Sequence, residues 1–420
     1  MSAKLNVLVS GHYGAGNIGD EAISVALARL VRDSDIDVDM VILSHSPLDT
    51  ERICEVRAIP HPAFVARGLA NLRVMIKEVK NADVVWIGGG GIFQDEFNLR
   101  TIPKYCLPAI ISAWVGKPYI LYAVGVGPLS SDYARRLTRL VARGAAGVTV
   151  RDNASQRLLA NLGVISSEIV PDPATYLRAA NFTRIKWVTE LIEAELKDEE
   201  FVFLSLRAIW HMPSKKGPGL TWLSSAAISE LIKRLKEGLA GIDCKVVIAP
   251  ACLAQDSEIG SKMADAIGER AILLNKELET DAWLHLIEAA SLVVSMPLHP
   301  ALLACANSTP AFTIAYDSKV RQQMEIWGLD RYVVGLDEFG RIPECLMALW
   351  ASRHEEGLRL SDIGKVIQRD VVAAFASSLT PRADSKTQRR LAVSLAIMIL
   401  FAWIPELIRR KFARSSIERV

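Results

Sequence analysis

Short apolar runs alternate with helix-period stretches along most of this chain. Asn6–Ser10, Val38–Leu43, Val84–Ile87, Tyr119–Ala123 and Gly147–Val150 read as buried strands, with helical patterns between them. Strands that alternate with helices imply right-handed βαβ units and a parallel sheet. The pattern pauses at Pro171-Asp172-Pro173, where two prolines break regular structure, and a charged helical stretch from Thr183 to Glu200 reads as a connection. A second series then begins at Phe201–Ser205 and continues through Lys245–Ala249, Ala271–Leu274, Leu292–Ser295 and Ala311–Ile314. The expected fold class is α/β, with two Rossmann-like domains facing a cleft. The expected divisions are residues 1–175, a connection over 176–200, a second domain over 201–379, a linker over 380–390 and a tail over 391–420. In such sheets ligands bind outside the carboxyl ends of the strands.

Composition changes this picture little. Of 420 residues half are hydrophobic and 23% are charged, which suits a large buried core. A net charge of +2 gives no global attraction to nucleic acid. The six cysteines have no metal-like spacing and read as reduced, buried thiols of a cytosolic protein. The chain enters its first strand at once, so a secretory leader is not expected.

The chemistry gathers at strand ends. After the first strand comes Gly11-His12-Tyr13-Gly14-Ala15-Gly16-Asn17-Ile18-Gly19-Asp20-Glu21, a glycine-rich turn into a helix N-terminus. Such a turn is expected to leave backbone N–H groups facing outward for a ligand oxygen. Asp20 and Glu21 would repel a phosphate, so a polar, sugar-like ligand is expected. The spacing is neither the Rossmann fingerprint nor a P-loop. The third strand ends in Gly88-Gly89-Gly90-Gly91 followed by Asp95, and the fourth in Gly125-Val126-Gly127-Pro128. Three glycine turns on one sheet edge favour a site over simple packing. Arg151, closing the fifth strand, is open to two readings: it reaches a ligand anion, or it pairs with Asp172. Ser155 is placed to close a cap with Asp152.

In the second half Arg207 follows a strand, where its guanidinium would bind a carboxylate or phosphate bidentately. His299 lies at a strand-to-helix turn, Ser295-Met296-Pro297-Leu298-His299, and an imidazole suits proton transfer near neutral pH. The other histidines (His12, His45, His61, His211, His285, His354) show no metal spacing, although His12 adjoins the first turn.

Taken in order, Gly14-x-Gly16-Asn17-x-Gly19-Asp20-Glu21, Gly88–Gly91 with Asp95, Gly125-x-Gly127-Pro128, Arg151-Asp152, Asp172-Pro173-Ala174, Leu298-His299 and Tyr316-Asp317-x-Lys319-Val320 resemble the polysaccharide pyruvyl transferase family over roughly residues 5–330. The resemblance implies a GT-B-like architecture and transfer of the enolpyruvyl unit of phosphoenolpyruvate to a glycan, usually as a cyclic ketal. It implies catalytic His299 and Arg207, with Arg207, Lys319 and His299 binding the donor. It places Tyr13, Gly14, Gly16, Asn17, Asp20, Glu21, Gly89, Gly90 and Asp95 on the acceptor side. No metal or cofactor is required by this chemistry. One departure stands out: the family usually carries an arginine two residues before the histidine, and here that residue is Pro297. Lys319 or Arg321 would have to replace its charge, unless the donor is a nucleotide sugar or the chain is a non-catalytic partner in glycan assembly.

The tail differs in kind. Leu391 to Pro405 is uncharged, and Arg389, Arg390, Arg409, Arg410 and Lys411 flank it. Fifteen residues at ~1.5 Å each make a helix of about 22 Å, short for a ~30 Å bilayer core. With Trp403 near one end, the tail reads as a monotopic or re-entrant apolar helix. It would hold the cleft at the cytoplasmic face of a membrane, beside a lipid-linked acceptor.

Overall fold

The computed structural model describes residues 4–62, 68–95, 101–197, 199–207 and 223–379. The apolar tail, its linker and His211 lie outside them. The first sheet holds seven strands: β1 (Leu5–Ser10), β2 (Val38–Ser44), β3 (Arg57–Pro60), β4 (Val84–Phe93), β5 (Tyr119–Val126), β6 (Gly147–Val150) and β7 (Glu168–Ile169). The second holds six: β8 (Phe201–Ser205), β9 (Lys245–Ile248), β10 (Ala271–Leu273), β11 (Leu292–Ser295), β12 (Ala311–Ala315) and β13 (Val333–Gly335). All pairings are parallel, and the orders are β3-β2-β1-β4-β5-β6-β7 and β10-β9-β8-β11-β12-β13. Both sheets therefore reverse direction beside their first strand. These reversals, between β1 and β4 and between β8 and β11, are where a doubly wound sheet opens a crevice.

The strands are near-continuous apolar runs because helices cover both faces. Within the first sheet the Trp86 and Tyr122 rings stack at 5.0 Å. The final helix of this region, Ile342–Ser378, starts beside the second sheet and runs back to place Phe375 edge-on against Trp86 at 5.7 Å. One apolar core consequently runs from a face of the first sheet through the second half, with a separate core on the first sheet's other face. Truncating a buried aromatic such as Phe375 would cost about 3–5 kcal/mol.

Three strands escaped the pattern: β3, β7 and β13 are two to four residues long and sit at sheet edges. The glycine run also differs from expectation. Gly88–Gly91 does not turn the chain but lies inside β4, which continues to Phe93 and pairs with β5 across a register shift at Gly90/Phe93. A Cβ on Gly88 would meet the Tyr122 carbonyl oxygen at 2.0 Å, so the absence of a side chain lets the two strands approach. The connection is a short helix, Lys186–Glu190, ending in a π-turn, Leu191–Glu195. All six cysteines are free thiols, five buried and Cys244 partly so.

Candidate active site

The helix Ile18–Arg32 starts at the sheet reversal of the first half, and both halves meet there. Ile18 N–H donates to the Ala251 carbonyl at 3.0 Å, across the gap from the second half. Arg207 follows β8 and brings Nη2 to 3.5 Å from Asn17 Oδ1. His299 follows the adjacent strand β11, in the first turn of the helix Leu298–Ala306, and its ring lies against Gly19. A Cβ on Gly19 would meet His299 Nδ1 at 2.1 Å. Arg207 and His299 thus reach the same helix N-terminus from neighbouring strands.

Behind them lies a buried charge network. Arg151 Nη1 is 2.8 Å from Asp172 Oδ2, and His299 Nε2 is 3.6 Å from the same oxygen. Of the two readings of Arg151, the structure therefore gives the pairing with Asp172. Burial disfavours the Asp172 charge, but His299 and Arg151 outweigh it and hold the carboxyl well below the usual range. Asp172 Oδ1 also accepts from Ala174 N at 3.0 Å and caps the turn Pro173–Tyr176. Asp152 Oδ1 accepts from Ser155 N at 2.7 Å, the expected cap, while Ser155 Oγ accepts from Val126 N. Arg151 also faces Gly125, where a Cβ would stand 3.1 Å from Nε. Glycine is needed there to admit the guanidinium.

The glycine-rich turn is not an open anion cradle. The Glu21 carboxylate accepts from Gly14 N at 3.2 Å, Ala15 N at 2.9 Å and Gly16 N at 3.1 Å. The chain thereby supplies its own oxyanion to the donors that were expected to face a ligand. Burial nevertheless pushes the Glu21 pKa up, with the three N–H groups opposing. Tyr13 is fully buried under the turn, where its hydroxyl donates to the Gly88 carbonyl and burial raises its pKa well above the usual value. Asp95 is also buried and accepts from Ser130 N, Ser131 N and Ser131 Oγ at 2.6–2.8 Å, which fixes the loop after β5. These three side chains hold the site's frame. Asp20, Gly89 and Gly90 are buried too, while Asn17 is partly exposed: Asn17 Nδ2 donates to Asp20 Oδ2 at 2.6 Å, and a Cβ on Gly90 would stand 3.0 Å from Asp20 Oδ1.

Lys319 lies in the first turn of the helix Ser318–Ile326, and its ammonium donates across the cleft to the Gly127 carbonyl. Arg321, on the same helix, turns instead to Glu338 at 3.3 Å and to the Val333 carbonyl. Its guanidinium is therefore committed to the end of the second sheet in this structure. Pro297 itself caps the helix that carries His299 with φ −63° and ψ 140°, a conformation open to any residue. The sequence pattern gave no signal for Asp256, which is fully buried with Oδ1 3.8 Å from Arg207 Nε, or for Glu277, whose carboxylate faces Gly16. A small pocket opens there, bordered by Gly16, Glu21, Pro250, Ala251, Glu277 and Trp283. Among the described residues, no three His, Cys, Asp or Glu side chains are placed to hold a metal ion.

The chain is similar in structure to the Anabaena protein HepE, solved in complex with UDP and glucose, with a TM-score of 0.58 and 13% identity over 89% of this chain and 98% of that one. It is similar to UDP-GlcNAc 2-epimerase from Methanocaldococcus jannaschii, with a TM-score of 0.54 and 11% identity over 94% and 100%. These likenesses carry the fold: two parallel-sheet α/β domains in the GT-B arrangement. In sequence it is 19% identical to the amylovoran biosynthesis protein AmsJ of Erwinia amylovora, over 77% of this chain and 86% of that protein. The model of polysaccharide pyruvyl transferases matches residues 17–318, a span that begins at Asn17 and takes in Arg207 and His299. The chain belongs to the polysaccharide pyruvyl transferase family.

Proposed function

We propose that this enzyme transfers the enolpyruvyl unit of phosphoenolpyruvate to a surface or lipid-linked glycan and closes a pyruvate ketal. The observation that carries the reading is the convergence of Arg207 and His299 on the N-terminus of the helix Ile18–Arg32, with Lys319 opposite. An acceptor hydroxyl adds to C2 of the donor while C3 takes a proton from the His299 imidazolium and becomes a methyl group, and the hydroxyl's own proton restores the imidazolium. A second hydroxyl then displaces phosphate from C2, and its proton leaves with the phosphate. His299 supplies the proton to C3, and Asp172 orients its ring. Arg207 and Lys319 exchange their neutral partners, Asn17 and the Gly127 carbonyl, for the donor's carboxylate and phosphate. The N-terminus of the helix Leu298–Ala306 adds a partial positive charge. Gly14, Gly16, Asn17, Asp20, Gly89 and Gly90 form the acceptor wall, with Tyr13, Glu21 and Asp95 fixing it from behind.

Incubating the protein with phosphoenolpyruvate and a lipid-linked or capsular glycan should release phosphate, and His299→Ala should abolish release while the protein stays folded. No release with any acceptor, together with no donor binding by calorimetry, would reject the reading. Pro297 and the pocket beside Glu277 favour a second reading, a GT-B-type glycosyltransferase using a nucleotide sugar. Thermal stabilisation by UDP but not by phosphoenolpyruvate would select it. A non-catalytic partner in glycan assembly would show neither, yet copurify with assembly proteins. The proposed place of work is the cytoplasmic face of the cell membrane, held peripherally or monotopically by the basic-flanked tail. Among the described residues no helix is long and apolar enough to cross a membrane.

A further inference from the structure

The loops after β1, β2 and β3 carry His12, His45 and His61 side by side across the first sheet. Lys104 and Tyr105, in the first turn and a half of the helix Thr101–Val115, meet them. The His45 and His61 rings are stacked, 5.6 Å apart with planes at 3°. His12 meets His45 edge-on at 5.2 Å, and Tyr105 meets His61 at 5.4 Å. The Tyr105 hydroxyl bonds His12 Nδ1, and Lys104 Nζ lies 2.8 Å from His45 Nε2.

Four bases and a phenol therefore crowd together, and among the described residues none of the five has an ion pair with a carboxylate. Asp20, on the neighbouring helix, is the acidic group felt at Tyr105. His61 is 3% exposed, and neither ring nitrogen has a hydrogen-bond partner among the described residues. Burying bases against one another costs free energy that an anion among them would offset. Burial, then repulsion between neighbours, pushes His45 down to about 4 and His61 well below its usual value, while burial lowers Lys104 to about 8.

We propose that this cluster is an oxyanion subsite that takes a phosphate or carboxylate group of the acceptor, with Lys104 and the imidazoles as donors and with uptake of protons on binding. An anion reverses each of the repulsions above. The cluster shares the sheet edge with the acceptor wall, and His12 directly precedes Tyr13 in the turn. That the anion belongs to the acceptor rests on the pyruvyl-transfer reading, whereas anion binding does not.

Calorimetry on the full-length protein tests it, with sodium pyrophosphate as the linkage of a lipid-carried saccharide and methyl glucuronide as an acidic sugar. Titrations at about pH 6.5 in buffers of differing ionisation enthalpy read the protons taken up. One of the two anions should bind with net proton uptake, and which one it is names the source. Lys104→Met should weaken the proton-linked binding at least about tenfold, while Arg207→Ala reports any binding of the same anions at the donor site instead. No binding of either anion, or binding lost in Arg207→Ala but kept in Lys104→Met, would overturn the proposal. Should Lys104→Met fail to fold, the ring resonances of His45 in the unaltered protein decide: saturating anion must raise its titration midpoint by at least about one unit. Phosphate release from phosphoenolpyruvate is followed alongside. Anion binding without release leaves the subsite standing and rejects pyruvyl transfer, and release without anion binding does the reverse.

Discussion

His299 and Asp172 meet where the two halves of the chain come together, with Nε2 3.6 Å from Oδ2. Arg151 holds the same carboxylate at 2.8 Å, so one buried oxygen orients the imidazole from the second half against a fixed group of the first. Asp172→Asn keeps the shape and removes the charge. It should lower kcat by about 10²–10⁴, the usual worth of a positioned proton-transfer group. It should also destabilise the fold by about 3–5 kcal/mol, because Arg151 loses its closest buried partner. Stopped assays and denaturant titration measure the two effects. Full activity in the variant would show that His299 does not depend on this carboxylate.

The pH dependence of stability has a definite sign. The Asp172 pKa is depressed in the folded protein, so its contribution is present above the ordinary carboxylate pKa of about 3.9 and is lost as pH falls toward the lower folded value. Acid titration of unfolding free energy should therefore fall less steeply below about pH 4 in Asp172→Asn than in the parent. Parallel acid curves for the two proteins would contradict this.

Gly19 offers a cleaner test of where His299 must stand. Alanine suits a helix at this position better than glycine, by about 1 kcal/mol. Its Cβ, however, would fall 2.1 Å from His299 Nδ1, so the ring must move. Gly19→Ala should retain a near-parental thermal midpoint yet lose about 10²-fold or more in turnover, the scale of an ångström's misplacement of a reacting group. Equal losses of stability and activity would instead mean that the domains had separated.

How far the sequence could be read follows from the range of the interactions involved. Apolar periodicity marked ten of the thirteen strands because a strand covered on both faces must be apolar throughout. It missed β3, β7 and β13, whose few residues at sheet edges carry too little pattern. Arg207 and His299 stand out in the sequence because strand-end position is a local signal. At Glu21 the sequence shows a carboxylate beside a glycine turn, but only folding brings it back onto Gly14, Ala15 and Gly16. Likewise Tyr13 and Asp95 stand among polar and glycine residues, yet tertiary packing buries both. The cluster of His12, His45, His61 and Lys104 has members separated by up to 92 positions (12 to 104) in the chain, and no spacing rule gathers them.

The donor site carries its own prediction. Arg207→Ala and Lys319→Met should each weaken phosphoenolpyruvate binding by roughly 1.5–3 kcal/mol, the worth of a charged hydrogen bond. Pro297→Arg should act in the other direction. The backbone at Pro297 already has angles any residue adopts, and the position precedes His299 by two residues at the cleft. The variant should lower KM for phosphoenolpyruvate by about tenfold, equivalent to about 1.4 kcal/mol. A raised KM would indicate that proline is there to exclude a cation, and would turn attention to another donor.

The tail supplies the final prediction. Leu391 to Pro405 lies outside the described residues. An uncharged segment of this length gains by leaving water, at about 25 cal/mol per Å² of apolar surface. It is too short to span a bilayer core of about 30 Å as a straight helix. Basic residues stand on both sides of it, and each lysine or arginine near an anionic lipid surface adds about 1 kcal/mol. Lying in one leaflet satisfies both demands, since the apolar face is buried and both charged flanks stay at the same surface. Deleting residues 385–420 should move the protein from the membrane fraction to the soluble fraction and leave phosphoenolpyruvate binding intact. Vesicles with anionic lipid should retain the full-length protein, and about 1 M salt should weaken that retention without abolishing it. A full-length protein that is monomeric and soluble without detergent would show that the segment packs on the protein itself, and the anchor would be rejected.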